Sequence, residues 1–233
     1  MVKRYAILAA AVLTVFLCIP RASFAAKTIL IGTTSINLPD MKGYTLHVDP
    51  ASPMFSKVTG CMAICGAPDR VSAMYLSDIY DTGKKIENCM EVDFLSIMDN
   101  RVEVAPGVDY SAMLDNIMTR TNSAEAKRNM IAGLERCTKA QSDHAGGIFK
   151  FTSASLVNSL RGDNYVVFIL KDQIEKRVGD EWKTIVSYDA MANVIVRGRI
   201  LTVNASDTHR QTTPEAAREI ILHLINGLND ANK

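Results

Sequence analysis

Residues 165 to 231 hold three extended segments, two glycine turns and a capped amphipathic helix, and few folds can accommodate that order. Tyr165–Leu170 (YVVFIL) is built of β-branched and aromatic residues, which suit a pleated, half-buried backbone. Gly179-Asp180 turns the chain into a long strand, Thr184 to Val196, and Gly198 turns it again into Ile200–Val203. Strands joined by tight turns pair antiparallel. The helix follows with Thr213 as its cap, Pro214 at its first position and Glu215 near its positive end. Ala217, Ile220, Ile221, Leu224 and Leu228 recur at helical spacing and form a stripe that needs a sheet face to cover.

Upstream, Thr28–Asn37 (TILIGTTSIN) reads as a strand that ends at Leu38-Pro39-Asp40, and Tyr44–Val48 as a second short strand. Residues 49 to 69 carry Pro50, Pro53, Pro68, Gly60 and Gly66 and read as loop. Val71–Leu76 is a strand. Met90, Val92 and Phe94 alternate with Glu91 and Asp93, the period of a half-buried strand. Tyr110, Met113, Leu114, Ile117 and Met118 fall at helix spacing. Ser123 caps a second helix from Ala124 to about Lys139, with Met130, Leu134 and Cys137 on one face. Ile148–Thr152 is a short strand. The expected fold is α+β, a mostly antiparallel sheet flanked by amphipathic helices. It forms a single domain over residues 26–233, with Gly146-Gly147 as the place where it would divide.

The first 25 residues have the pattern of an export signal. Lys3 and Arg4 precede an apolar run from Ala6 to Cys18, Pro20 breaks it, and Ser23-Phe24-Ala25 offers small residues at a cleavage site. That run is shorter than the ~20 residues a membrane span needs. Phe16-Leu17 are too bulky before Cys18 for a lipid attachment motif. Removing Lys3, Arg4 and Arg21 with the leader leaves 23 basic against 25 acidic residues, a net charge of −2. No clustered positive charge marks a nucleic-acid surface. No second long apolar run follows, so no transmembrane segment is expected after cleavage. The 6% aromatic content speaks against a sugar-binding platform, and the eleven methionines favour an aliphatic core. The expected setting is the bacterial periplasm or the exterior.

The second half of the chain resembles the PsbP-like sandwich in its long central strand, its Gly198 turn, its short following strand and its closing helix ending in Ala231-Asn232. It is also similar to a group of exported bacterial proteins of unknown function, in which a Met-Lys-Gly-Tyr segment (Met41–Tyr44 here) precedes an Ala-Met-Tyr-Leu strand (Ala73–Leu76 here). The resemblance implies a fold and a compartment. It implies no catalytic residue, since PsbP-like proteins are mostly binding or accessory modules.

Four of the five cysteines lie beyond the leader: Cys61, Cys65, Cys89 and Cys137. An even number in an oxidising compartment points to disulfides. Of the three pairings, Cys61–Cys65 with Cys89–Cys137 is the expected one. The first needs the GCMAICGAPD loop to turn, because an extended chain would hold those Cα atoms about 13 Å apart, beyond the ~7 Å reach of a bridge. The alternative is a thiol–disulfide or copper-handling centre on Cys61 and Cys65, with Met62 as a soft ligand. Against it, no histidine stands at motif spacing, and Cys-x-x-x-Cys is not the redox spacing.

No nucleophile-elbow, zinc-protease or phosphate-loop motif occurs. No cofactor and no resident metal are expected. His223 reads as solvated on the outward face of the last helix, His144 and His209 as loop residues without partners in sequence, and Arg161-Gly162-Asp163 as the turn before the Tyr165 strand. Asp78 and Asp81 read as a polar turn or a paired-carboxylate site, and Trp182 as a residue packed beside a hairpin or an exposed contact. The expectation is a non-catalytic exported protein that binds a partner protein or a small ligand. Its groove would be rimmed by residues 49–69 and 78–88, with Asp78, Asp81 and Trp182 as rim candidates.

Overall fold

A seven-stranded sheet in the order β3-β4-β5-β9-β8-β7-β6 organises the chain, and every neighbouring pair in it is antiparallel. The computed structural model describes residues 27–65, 70–80, 86, 90, 92–105, 107–207 and 210–233. Along the chain these form β1 (Lys27–Ile31), β2 (Thr34–Leu38), β3 (Tyr44–His47), α1 (Pro53–Ile64), β4 (Val71–Ser77) and β5 (Phe94–Glu103). There follow α2 (Tyr110–Asn122), α3 (Ala124–His144), β6 (Phe149–Arg161), β7 (Tyr165–Val178), β8 (Glu181–Val196), β9 (Arg199–Ser206) and α4 (Pro214–Ala231). The expected export signal, residues 1–25, lies outside the described residues. Strands from both sides of Gly146-Gly147 enter the one sheet.

The alternation of each strand divides the sheet into two faces. On one face Tyr75, Leu95, Ile97, Val167, Ile169, Ala192, Leu201 and Val203 are buried under Ile221, Leu224, Ile225 and Leu228 of α4. The separate β1–β2 hairpin extends this layer with Ile29, Ile31, Ile36 and Leu38. On the other face the cover is divided. Phe55 and Val58 of α1 pack on Met74 and Leu76 of β4, while Leu114 of α2 packs with Val166, Phe168, Ile195 and Ile200. Among the described residues no helix is long and apolar enough to cross a membrane.

The fold is the α+β arrangement expected from the sequence, and the closing helix follows its signals closely. Thr213 Oγ1 accepts from Ala216 N at 3.1 Å, and Ala217, Ile221, Leu224 and Leu228 are buried. Ser123 ends α2 and caps α3, accepting from Ala126 N at 3.1 Å. Gly162 forms the turn before β7, its N–H donating to Tyr165 O at 2.9 Å.

Four local expectations are corrected. Thr28–Asn37 is not one strand but the β1–β2 hairpin. Gly32, at φ 58°, makes its turn, and a Cβ there would lie 2.6 Å from the Arg199 guanidinium. Within the expected loop, residues 53–64 form α1: Ser52 caps it, accepting from Phe55 N at 3.1 Å, and Pro53 sits at its first position. This is the grammar of Thr213-Pro214, hidden by the glycine at mid-helix. The strand expected at 90–94 begins at Phe94 and runs to Glu103. β6 extends to Arg161, and register shifts at Phe151/Ser153 and Leu156/Asn158 break the alternation that would have revealed it.

Candidate functional site

The second sheet face leaves a gap between its two apolar clusters, and a cavity of about 920 Å³ fills it. Its floor is the sheet. Leu170, Asp172 and Ile174 of β7, and Ile185, Ser187, Asp189 and Met191 of β8, are every second residue of their strands and point into it. Asn204 and Ser206 of β9 continue the floor. One wall is α1 through Val58, Cys61 and Met62. The other is α3 through Met130, Gly133, Leu134, Cys137, Thr138 and Gln141, spaced to form one helical stripe.

A disulfide ties the two walls together. Cys65, the C-cap of α1, is bonded to Cys137 of α3 across 72 residues of sequence, with Cα atoms 4.7 Å apart. The expected Cys61–Cys65 bridge is therefore overturned. The reason is the helix. Cys61 lies in the last turn of α1 with its side chain buried, whereas Cys65 lies at the helix end facing α3. Cys61 is disulfide-bonded as well. Cys89 lies outside the described residues, and with Cys137 committed to Cys65 the expected Cys89–Cys137 pair is also overturned. Neither Cys61 nor Cys65 carries a free thiolate here, so the set of Cys61, Cys65 and Met62 does not offer the soft anionic ligands a copper(I) site needs. Among the described residues no three His, Cys, Asp or Glu side chains gather as a metal cluster.

The polar part of the floor is unusual for an apolar cavity. Asp172 Oδ2 accepts from Ser187 Oγ at 2.9 Å, and the Asp172 and Asp189 carboxyls hydrogen-bond to each other. Asp189 also bonds to Ser206. Burial raises both carboxyls above their ordinary range, and the charge of Asp172 raises Asp189 further. One face of this pair meets the cavity and the protein encloses the rest. Beyond it, the sheet face carries a polar seam: Thr202 Oγ1 donates to Asn100 Oδ1 at 2.9 Å, Asn100 Nδ2 to Asn193 Oδ1 at 3.2 Å, and Asn204 Nδ2 to Ser96 Oγ at 3.3 Å. On α3, Gln141 Nε2 donates to Cys65 Sγ at 3.0 Å and lies 3.6 Å from Cys137 Sγ, while its buried Oε1 accepts no hydrogen bond.

The two described rim candidates lie elsewhere. Asp78 is exposed at the end of β4, accepting from Thr45 Oγ1 at 3.3 Å, and does not line the cavity. Asp81 lies outside the described residues. Trp182 is half-buried at the β7–β8 turn with Lys150 Nζ 3.6 Å from its ring centroid, also away from the cavity. His223 and His144 are exposed, and His209 lies outside the described residues. Sequence reasoning missed Asp172 and Asp189. A signal was present, since Asp172 shares strand parity with Val166, Phe168 and Leu170, all on the buried side.

No family model matches the chain, and no curated protein matches it. Among solved structures it is similar to the solution structure of cyanobacterial PsbP (CyanoP) from Synechocystis sp. PCC 6803. That likeness has 15% sequence identity over 84% of each chain and a TM-score of 0.31, a weak resemblance of fold.

Proposed function

We propose that this protein is an exported, non-catalytic binding module whose ligand is a small amphiphilic molecule held in the cavity between the sheet, α1 and α3. The cavity itself carries this proposal. Its volume of about 920 Å³ matches sites for small organic ligands, which are mostly apolar with a few convergent polar groups. Met62, Met90, Met130 and Met191 line it, and methionine walls adapt to ligands of varied shape. The leader pattern of residues 1–25 and the Cys65–Cys137 bond both suit an oxidising compartment.

Calorimetric titration of the mature, oxidised protein with 1-octanol tests it, with Gly133→Phe as the blocked control. Gly133 lines the cavity, and a Cβ there meets nothing closer than Arg136 Nη2 at 3.9 Å. Saturable binding by the parent and none by the variant is the expected result. Equal heats for the two proteins, or no saturable binding to the parent, would sink the proposal.

A further inference from the structure

We infer that the ligand of this cavity is an organic cation, a primary ammonium head seated between Asp172 and Asp189 with its apolar body against the methionines of the walls. This rests on the cavity being a binding site. Three observations select the head group.

The first is the inventory of donors and acceptors. Three donors of the wall are spent within the protein: Ser187 Oγ on Asp172 Oδ2, Gln141 Nε2 on the disulfide sulfur, and Asn204 Nδ2 on Ser96 Oγ. The acceptors are left over. Gln141 Oε1 is buried and accepts no hydrogen bond, and Asp172 Oδ1 is buried and faces no N–H or hydroxyl donor from another residue. Gln141 is only 9% exposed, and it and Asp172 line the same cavity. Buried acceptors without donors are costly, and a ligand that brings N–H groups satisfies them.

The second is charge. Among the described lining residues, Asp172 and Asp189 are charged groups of one sign, with no Lys, Arg or His beside them. The other titratable groups there, Cys61, Cys65 and Cys137, are locked in disulfides. An anionic ligand would meet two carboxyls in a poorly solvated space and be repelled, while a cation would be attracted.

The third is the proton between the carboxyls. Two acids that hydrogen-bond to each other require a shared proton, and it stands where a cation would satisfy both. A primary ammonium takes over that role with up to three N–H donors. Its binding therefore strengthens as rising pH removes the shared proton.

The test is calorimetric titration of the mature, oxidised protein with n-octylamine, 1-octanol and octanoate, repeated with Asp172→Asn and Asp189→Asn. The amine is expected to bind about tenfold or more tightly than the alcohol, through charge-assisted hydrogen bonds, and octanoate most weakly. Either substitution is expected to remove the amine's advantage over the alcohol. Amine affinity rises with pH above the ordinary aspartate range while alcohol affinity stays flat. If the alcohol binds and the amine binds no better, the cationic ligand is wrong and the cavity site stands. An amine advantage that survives both substitutions overturns the assigned carboxyls. If none of the three binds, the cavity is no binding site and the inference falls with it.

Discussion

Asp189 on β8 stands directly across from Leu170 on β7, one inward position along from the Asp172–Ser187 pair, so the two aspartates meet diagonally on one sheet face. Their carboxyls hydrogen-bond to each other at the floor of the cavity. The negative charge of Asp172 disfavours ionisation of Asp189 at this buried position. A protein with no use for this pair would gain by replacing either member.

That gain is measurable as a pH dependence. Both carboxyls are raised in the folded state, mainly by burial. Between the ordinary aspartate value near pH ~4 and the raised folded values, the native state binds more protons than the unfolded state, so stability falls as pH rises through that window. Asp189→Asn should flatten this slope and stabilise the protein at neutral pH. Urea unfolding of both proteins at a series of pH values checks this. Parallel curves would show that the pair does not titrate as described.

A disulfide map by thiol alkylation and mass spectrometry should recover the Cys65–Cys137 crosslink and no Cys61–Cys65 peptide. With the leader removed, Cys89 is the remaining partner in sequence for Cys61. Replacing Cys65 and Cys137 together by serine should cost ~2–5 kcal/mol, since the bond closes a long loop in the unfolded chain. It should also loosen the cavity, because α1 and α3 lose their link. Unchanged stability of the double variant would mean that the helices are held by packing alone.

Two helix-interior glycines should respond in opposite directions to alanine. At Gly133 in α3 an added Cβ has open space, so helix propensity should dominate and stabilise by roughly 0.5–1 kcal/mol. At Gly227 in α4 an added Cβ would lie 2.7 Å from Pro39 Cβ and 3.0 Å from its Cγ, so the same change should destabilise. Thermal unfolding of the two single variants measures the sign of each. A stabilising Gly227→Ala would contradict the close packing of α4 on the β2–β3 connection.

Ser142 pins the joint at Gly146-Gly147, the place where the sequence would divide the domain. Its Oγ donates to Phe149 O at 2.6 Å and accepts from Phe149 N at 2.9 Å, bridging the end of α3 to the start of β6 within buried surroundings. Ser142→Ala leaves both backbone groups without this partner and should cost ~1–3 kcal/mol. Amide exchange at Phe149 should speed up with it. Native-like protection at Phe149 in the variant would show that the bridge is not what orders the joint.

The sequence by itself determined the antiparallel meander of β7, β8 and β9 and the closing helix, because strand alternation, glycine turns and the Thr213-Pro214 cap are local signals carried by neighbouring residues. It also determined α2 and α3, through apolar spacing and the Ser123 cap. It misled where local signals conflicted, as at α1, where a mid-helix glycine masked a well-capped start, and in β6, where two bulges broke the period. The candidate site was decided by tertiary structure. Asp172 and Asp189 are seventeen residues apart in the chain, and only the β7–β8 register brings their carboxyls together. Cys65 found Cys137 rather than Cys61 because a helix end and a second helix meet over the same sheet face. Partner choice of this kind depends on contacts between distant segments, whose geometry exists only once the sheet has formed and the helices have packed on it.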